Sequence, residues 1–212
     1  MSFTKKSWLI AAALYALFVY WYTDFGGPLS DDEIAEYMVK MEARLSDSDP
    51  RAMQRIENFM REDSGRQFFM VNLIDMNEDP GDVPGAEPGE SAAELMNRYM
   101  AYMYPALFGR ACHPSVLGDA VSGAVDMVGV DEALRHWDQG ALFRYRSRRT
   151  FMEIVANAEQ GDSHKFKLAA LDKTIAFPIE TQINFGDPRL LLGLLLVAVT
   201  SLLNNLRGRP KP

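Results

Sequence analysis

The hydrophobic pattern divides the chain into two uncharged runs near its ends and a mixed segment between them. The first run covers residues 7–23 and the second covers residues 190–206. A helix needs about 17–25 apolar residues to cross the hydrocarbon core of a bilayer. The pattern therefore predicts two transmembrane helices, one within residues 1–25 and the other at residues 189–206.

Other interpretations of these runs stay open. A cleaved signal peptide is disfavoured at the N-terminus, because the run ends in an aromatic cluster at residues 20–22 rather than at a small-x-small cleavage site. A buried core helix is disfavoured at the C-terminus, because Thr200 and Ser201 are the sole polar residues among residues 190–203. A membrane anchor is the favoured interpretation of both runs.

Basic residues outside the central segment predict the orientation of these helices, since positive charge favours the cytoplasmic side of a membrane. Lys5 and Lys6 precede the first run. Three cations follow the second run in a basic tail of residues 207–212: Arg207, Arg209 and Lys211. Both termini are therefore expected in the cytoplasm, at an inner or plasma membrane. The central domain is then expected to be periplasmic or extracellular.

The central segment is strongly acidic. All 29 acidic residues lie between Asp24 and Asp187, a span that holds 16 of the 22 basic residues and carries a net charge of −13. Such a surface repels a phosphate backbone, so nucleic acid is excluded as a partner. Cys112 is the single cysteine, which excludes an internal disulfide and a paired-cysteine metal site.

Two amphipathic helices are predicted in residues 30–63, next to the first membrane run. Ser30 and Glu33 have the spacing of a capping box at the start of the first helix. Pro50 is a residue type preferred at the first position of the second helix. These helices are expected to form a pair close to the membrane.

Residues 66–182 have the pattern of an α+β domain. Residues 68–74 form an apolar run that predicts a buried strand, and residues 77–90 are rich in Pro, Gly and acids, which predicts a loop. A helix is expected over residues 91–108. The later pattern predicts strands at residues 115–121, 124–128, 140–146 and 174–181, with helices at residues 148–157 and 163–171. This order favours a sheet with helices on one face.

Four stretches in this segment resemble a known superfamily: "FFMVNLIDM", "YMAYMYPAL", "WDQGALFRYRSRRTFMEIV" and "HKFKLAALDKTIAFPIE". Over residues 66–180 the chain resembles the ferredoxin-like proteins of the dimeric α/β-barrel superfamily, closest to one of its domain-of-unknown-function families. The resemblance implies a four-stranded sheet that pairs with a second sheet across a dimer. The closest group has no agreed catalytic residues to transfer.

The haem-degrading monooxygenases of the same superfamily suggest three site residues. They use an Asn on the first strand, an aromatic residue after the third, and a His after the following helix. The matching positions here are Asn72, Tyr145 and His164. Tyr145 stands where those enzymes carry Trp, which weighs against haem cleavage. The expectation is therefore no cofactor, with haem as the alternative.

Other candidate residues have structural interpretations beside functional ones. Tyr99 and Tyr102 lie among methionines at helical spacing and could line a pocket for an aromatic or quinone-like ligand, or could be core. Arg144 and Arg148 belong to a cluster that could bind a carboxylate or phosphate, or could pair with neighbouring acids. Asn72 and His164 could equally bind backbone groups. No metal site is predicted at His113, at His136 or in the acidic loop.

These patterns favour a non-catalytic function. Both apolar runs lack charged residues that would form a transport path. The chain is therefore expected to be an accessory or scaffolding subunit, with the lipid bilayer and other membrane proteins as partners and with a possible homodimer through the barrel sheet. The alternative is an oxygenase-like enzyme, or a protein that binds haem or another small molecule in the barrel cavity.

Overall fold

The computed structural model describes residues 2–45 and 50–208. The chain divides into two compact units. One unit contains both ends of the chain, Met1–Asp24 and Thr181–Pro212, and the other contains the continuous segment Phe25–Glu180. Arg209 and Lys211 of the basic tail lie outside the described residues.

The terminal unit is a hairpin of two antiparallel helices, α1 (Phe3–Tyr22) and α7 (Pro188–Gly208). At one end, the Asn204 amide donates a 3.0 Å hydrogen bond to the Ser7 hydroxyl. At the other end, the Arg189 guanidinium donates to the Thr23 hydroxyl at 3.2 Å. Contacts at both ends fix the register of the two helices along their whole length.

Of the helices in the described part of the chain, one has the length and composition of a membrane span, over Pro188–Arg207. The twenty residues of α1 are long enough, but their hydropathy is lowered by Lys5, Lys6 and the polar groups of its aromatic residues. Of the two membrane spans predicted from the sequence, α7 has the hydropathy of a span and α1 does not. Most apolar side chains of both helices are exposed, including Leu17 at 66% and Leu194 at 60%.

The central unit contains a four-stranded antiparallel sheet and five α-helices, an α+β fold. The strands are β1 (Phe68–Met76), β2 (His113–Asp119), β3 (Gln139–Tyr145) and β4 (Leu171–Ile179), in the order β2-β3-β1-β4. The helices are α2 (Asp31–Leu45), α3 (Pro50–Arg61), α4 (Ala92–Phe108), α5 (Arg148–Val155) and α6 (Ala158–Ala169). From β1 onward, the elements follow a β-α-β-β-α-β pattern, with the second helical segment divided into α5 and α6.

An aromatic cluster forms the core on the helix-facing side of the sheet. Phe68 of β1 and Tyr145 of β3 are paired across the strands and stack with ring centres 5.3 Å apart. Phe59 of α3 and Phe151 of α5 meet Phe68 edge-on at 5.5 and 5.9 Å. Burial of each such side chain contributes about 1.5–3 kcal/mol. The cluster joins α3 and α5 to the sheet.

The predicted helix pair packs on this domain as α2 and α3. Ile34 and Met41 of α2 and Met60 of α3 form a buried cluster with Met152 of α5. The Ser30–Glu33 interaction is present, with the Ser30 N–H donating to Glu33 Oε2 at 2.8 Å. Because Met152 and Met60 are fully buried, this pair is an integral part of the central unit.

The predicted strand at residues 124–128 is wrong. These residues lie in a connection between β2 and β3 that contains a short 3-10 helix, Glu132–Leu134. Val125 is 96% exposed and Val128 is 86% exposed. Alternating valines favour a strand only when a neighbouring strand or layer covers them, and here β2 already pairs with β3. The helix predicted at 163–171 begins earlier, at Ala158, and β4 begins at Leu171.

Candidate functional site

A cavity of about 950 Å³ lies against the helix-facing side of the sheet, beside the aromatic core. Its floor includes Asn72 of β1, and its walls include Met100 and Met103 of α4 and Leu168 of α6. Methionine side chains are flexible and polarizable, so such walls adapt to irregular apolar shapes. The cavity is therefore suited to an apolar molecule of substantial size.

The strand register explains the space above Asn72. Its neighbours in the pairing are Ala141 on β3 and Ala176 on β4, so small side chains flank it on both sides. The Asn72 amide donates a 3.0 Å hydrogen bond to the Met70 carbonyl, which holds the side chain against its own strand. Its carbonyl oxygen remains available as an acceptor at the cavity floor.

Three other sequence candidates line the same cavity: Tyr99, Tyr145 and His164. The Tyr99 ring meets the His164 ring edge-on, with centroids 6.1 Å apart. Tyr145 is 5% exposed, and its burial raises the pKa of its hydroxyl well above the ordinary value. Tyr145 therefore remains neutral at physiological pH. The fold brings Asn72, Tyr99, Tyr145 and His164 to one cavity from four separate elements.

Lys167 also lines the cavity, and the sequence analysis missed it. It lies one helical turn after His164 on α6, and its Nζ atom is 5.7 Å from the centre of the Tyr99 ring. Burial lowers the pKa of the Lys167 amine. The i, i+3 spacing of a histidine and a lysine in an otherwise amphipathic segment was the available sequence signal.

The remaining sequence candidates do not line the cavity. Tyr102 packs against the core on α4. Arg144 is 1% exposed, and it donates hydrogen bonds to Gln67 Oε1 at 3.0 and 2.8 Å and to the Ala111 carbonyl. Arg148 donates to the carbonyl of Phe59 and pairs with Glu180 at 3.4 Å. Both arginines therefore join segments of the domain to one another.

A second recess, of about 430 Å³, lies at the end of β1. Asp75, His136 and Asp138 place their ligand atoms within 4.8 Å of one another. Imidazole and carboxylate groups are ligands of zinc and manganese. However, Lys173 binds Asp75 Oδ2 at 2.6 Å and lowers the pKa of that carboxyl group. The ion pair with Lys173 already compensates the charge of Asp75, so the cluster is satisfied without a cation.

Burial makes Cys112 unreactive. The residue is fully buried, and desolvation raises the pKa of its thiol to about 11. Its sulfur accepts a 3.4 Å hydrogen bond from the Arg146 N–H. A thiol with this pKa carries almost no thiolate at neutral pH, so Cys112 is part of the core rather than a nucleophile.

Comparison with known proteins shows the fold of the central domain and no more. No protein-family model and no curated protein matches the chain. The chain is similar to a crystal structure of RPA0582, a protein of unknown function from Rhodopseudomonas palustris, with 17% identity and a TM-score of 0.51. The match covers 62% of this chain and 94% of that chain. The methylated form of RPA0582 matches with 16% identity and the same TM-score, over 63% of this chain and 93% of that chain.

Proposed function

We propose that the protein is a membrane-anchored binding protein that holds an apolar small molecule in the cavity of its central domain. The observation that carries this proposal is the cavity of about 950 Å³, whose largely apolar lining includes a smaller set of polar side chains, among them Asn72, His164 and Lys167. Small-molecule sites have volumes of about 300–1,000 Å³ and combine apolar walls with a few polar groups in this way.

The helical hairpin supports the anchoring part of the proposal. Most leucines of α7 are exposed, including Leu191 at 53% and Leu202 at 59%, so little of this apolar helix is buried within the protein. In water, this exposed apolar surface would be costly, whereas lipid chains would solvate it. α1 is less apolar than α7. Hydrogen bonds at both ends of the hairpin nevertheless hold it beside α7, a helix suited to a bilayer. We therefore retain two membrane-spanning helices as part of the proposal.

The antiparallel arrangement supports one orientation for both ends. Lys5 and Lys6 lie at the start of α1, and Arg207 at the end of α7 contacts the Phe3 ring at 3.8 Å. The cations of both helices therefore lie at the same end of the hairpin. The positive-inside preference places that end in the cytoplasm and the central domain outside, in the periplasm or the extracellular space.

Topology and anchoring are tested on the full-length protein. A protease site inserted at Gly85, in the exposed loop before α4, should be cut by added protease in cells whose outer membrane, where present, has been opened and whose inner or plasma membrane is intact, and the chain should resist extraction by alkali. Gly85 has φ +88°, so the insertion point is a turn rather than a helix or strand. Cleavage only after cell lysis, or release by alkali, would overturn this part of the proposal.

Ligand binding is tested with a neutral apolar photoaffinity probe on the full-length protein in lipid nanodiscs. The probe should label peptides of α4 or α6 in a saturable way. Ala176→Trp places a large side chain beside Asn72 from an exposed position of β4 and should abolish labelling. The control Ala133→Trp lies in an exposed connection away from the cavity and should leave labelling unchanged. Equal labelling of both variants would contradict the proposal.

The strand order supports the ferredoxin-like arrangement, in which a β-α-β-β-α-β chain folds into one antiparallel sheet. The sheet face opposite the cavity carries apolar side chains that stay partly exposed: Val116 at 54%, Ile175 at 37% and Phe177 at 44%. Val116 and Phe177 lie on the two edge strands, and the register places Leu142 of β3 and Val71 of β1 in the row between them, so the apolar face is continuous. A second copy of the sheet would cover it, so a homodimer through this face is part of the proposal.

The oxygenase-like alternative and the accessory-subunit hypothesis have separate tests. For the first, haem is titrated into the full-length protein and into His164→Ala, and a Soret shift present only with His164 would favour haem chemistry. For the second, the mass of gently solubilised protein is measured. A particle that contains other chains would favour a role in a larger membrane complex.

A further inference from the structure

Lys167 is the feature of the cavity that the apolar lining does not explain. A lysine ammonium held among protein groups loses hydration, and that loss is normally compensated by a nearby carboxylate. Apart from residues 43–50 and 158–162, whose side chains lie outside the description, no carboxylate lies within ion-pair distance of Lys167, and its Nζ atom lies 5.7 Å from the centre of the Tyr99 ring. Among the side chains that the structure describes, the cavity cation thus has no counter-charge.

The carboxylate of the cavity wall is already engaged elsewhere. Asp119 lies at the end of β2 and is exposed, and it accepts a 3.1 Å hydrogen bond from the Gln139 amide. It forms no ion pair with Lys167. Lys165, the other lysine of the wall, is exposed to solvent, so its charge is hydrated and needs no partner.

His164 reinforces the positive character of this wall. It lies three residues before Lys167 on α6, so both side chains project from the same face of the helix. An imidazole can donate a hydrogen bond from either ring nitrogen, depending on its tautomer. The His164 ring, one helical turn from Lys167, can therefore also donate a hydrogen bond to a ligand oxygen placed near Lys167.

From this arrangement we infer that the cavity ligand is an amphiphile with one carboxylate group, which Lys167 binds while the methionine-lined wall holds an apolar chain. The inference rests on the proposed ligand-binding function and names its ligand class. The flexible side chains of Met96, Met100 and Met103 suit a chain with many conformers, such as a long-chain fatty acid. The ligand carboxylate supplies a counter-charge, so binding lowers the cost of holding the half-buried Lys167 ammonium on the cavity wall.

The test compares two probes that differ in the head group alone. A 12-carbon carboxylic acid with a diazirine near its middle and the corresponding primary alcohol are each incubated with the full-length protein in nanodiscs. Free probe concentrations are measured by dialysis, so that partition into lipid does not bias the comparison. After irradiation, labelled peptides of α4 and α6 are quantified by mass spectrometry.

We expect the acid to half-saturate labelling at a free concentration at least about tenfold below that of the alcohol, the ratio typical of one charge-assisted hydrogen bond. Lys167→Met should bring the acid to the value of the alcohol, whereas the control Lys40→Met, at an exposed lysine of α2 outside the cavity, should keep the difference. The comparison on the unaltered protein needs no variant, so it stands even if Lys167→Met fails to fold.

The outcomes separate this inference from the proposed function. Equal labelling by acid and alcohol, or stronger labelling by the alcohol, would overturn the inference and leave apolar ligand binding intact. A preference for the acid that survives in Lys167→Met would also overturn it. If neither probe labels α4 or α6, the ligand-binding function itself fails, and the inference fails with it.

Discussion

Arg149 and Glu33 form an ion pair with 2.6 Å between Nε and Oε1, although 116 residues separate them in the chain. Arg149 also donates hydrogen bonds to the carbonyls of Gly27 and Pro28 at 3.2 Å. One guanidinium at the start of α5 therefore fastens the start of α2 and the segment that leads into it. This contact joins the helix pair to the sheet domain.

The stability of the central domain should fall in acid because of this pair. The hydrogen bond from Arg149 and the backbone N–H of Ser30 lower the pKa of Glu33 from 4.5 to about 2. A carboxyl group with a depressed folded-state pKa contributes stability above its unfolded pKa and loses it as pH falls through the folded value. The contribution is therefore complete above about pH 5 and disappears between about pH 4.5 and 2.

Glu33→Gln should remove this part of the acid dependence and cost about 1 kcal/mol at neutral pH, after allowance for solvent screening of a partly exposed pair. Chemical unfolding followed by tryptophan fluorescence at several pH values measures both effects. The control is Glu36→Gln, an exposed carboxylate on the same helix. If the unfolding free energies of Glu33→Gln and the unaltered protein fall in parallel below pH 4.5, the pair does not have this role.

The buried Arg144 should be essential for stability rather than for binding. Arg144→Met would leave the Ala111 carbonyl and Gln67 without their donor in a buried region, so we expect a loss of about 2–4 kcal/mol. The matched control Arg135→Met, at an exposed arginine, should cost less than about 0.5 kcal/mol. Unfolding titrations provide the comparison, and similar losses in the two variants would contradict this role.

The hairpin predicts a specific cross-link between chain ends. Ser7→Cys combined with Asn204→Cys should form a disulfide under mild oxidation, because the original side chains are in hydrogen-bond contact at 3.0 Å. Ser7→Cys with Leu202→Cys is the control, since Leu202 is 59% exposed and lies on another side of α7. Buried Cys112 should not compete. Mobility on a non-reducing gel is the readout, and equal cross-linking of both pairs would refute the helix register.

The exposed sheet face should control self-association. Phe177→Glu places a charge on this face, at its β4 edge, and should shift the detergent-solubilised protein from dimer to monomer. The reason is that a buried unpaired carboxylate opposes apolar contact between two sheets. Phe108→Glu, which changes an equally exposed phenylalanine at the end of α4, is the control and should remain dimeric. Light scattering on both variants measures the mass; a dimer that survives Phe177→Glu would exclude this interface.

Local patterns predicted the elements well where one physical signal dominated. The Ser91–Glu94 capping box marks the start of α4, and the structure contains both of its reciprocal hydrogen bonds. Ser147 lies directly before the helix predicted at residues 148–157, and it caps α5 by accepting a hydrogen bond from the Thr150 N–H at 3.1 Å. Such signals depend on residues three apart, so they are visible without knowledge of the tertiary fold.

Features that depend on distant neighbours could not be predicted in this way. Residues 124–128 include strand-forming valines. They form no strand because β3 is already hydrogen-bonded to β2, a pairing that the local sequence does not reveal. The cavity depends on Ala141 and Ala176 lying beside Asn72, a register that no local pattern reveals. Lys167 has only its i, i+3 spacing to His164 as a signal in the sequence, and its position on the cavity wall beside Tyr99 depends on how α6 packs in the tertiary fold.

The discontinuous hairpin has a consequence for how the chain is made. The end of α1 at Tyr22 and the start of α7 at Pro188 are separated by the whole central domain. At about 5–20 residues per second, a ribosome needs roughly 10–30 s to synthesise the chain between them. During that interval α1 exists without its partner, so the domain has time to fold before the two helices meet. A polypeptide released before residue 188 retains α1 as a solitary apolar helix, so it is the synthesis of α7 that closes the hairpin.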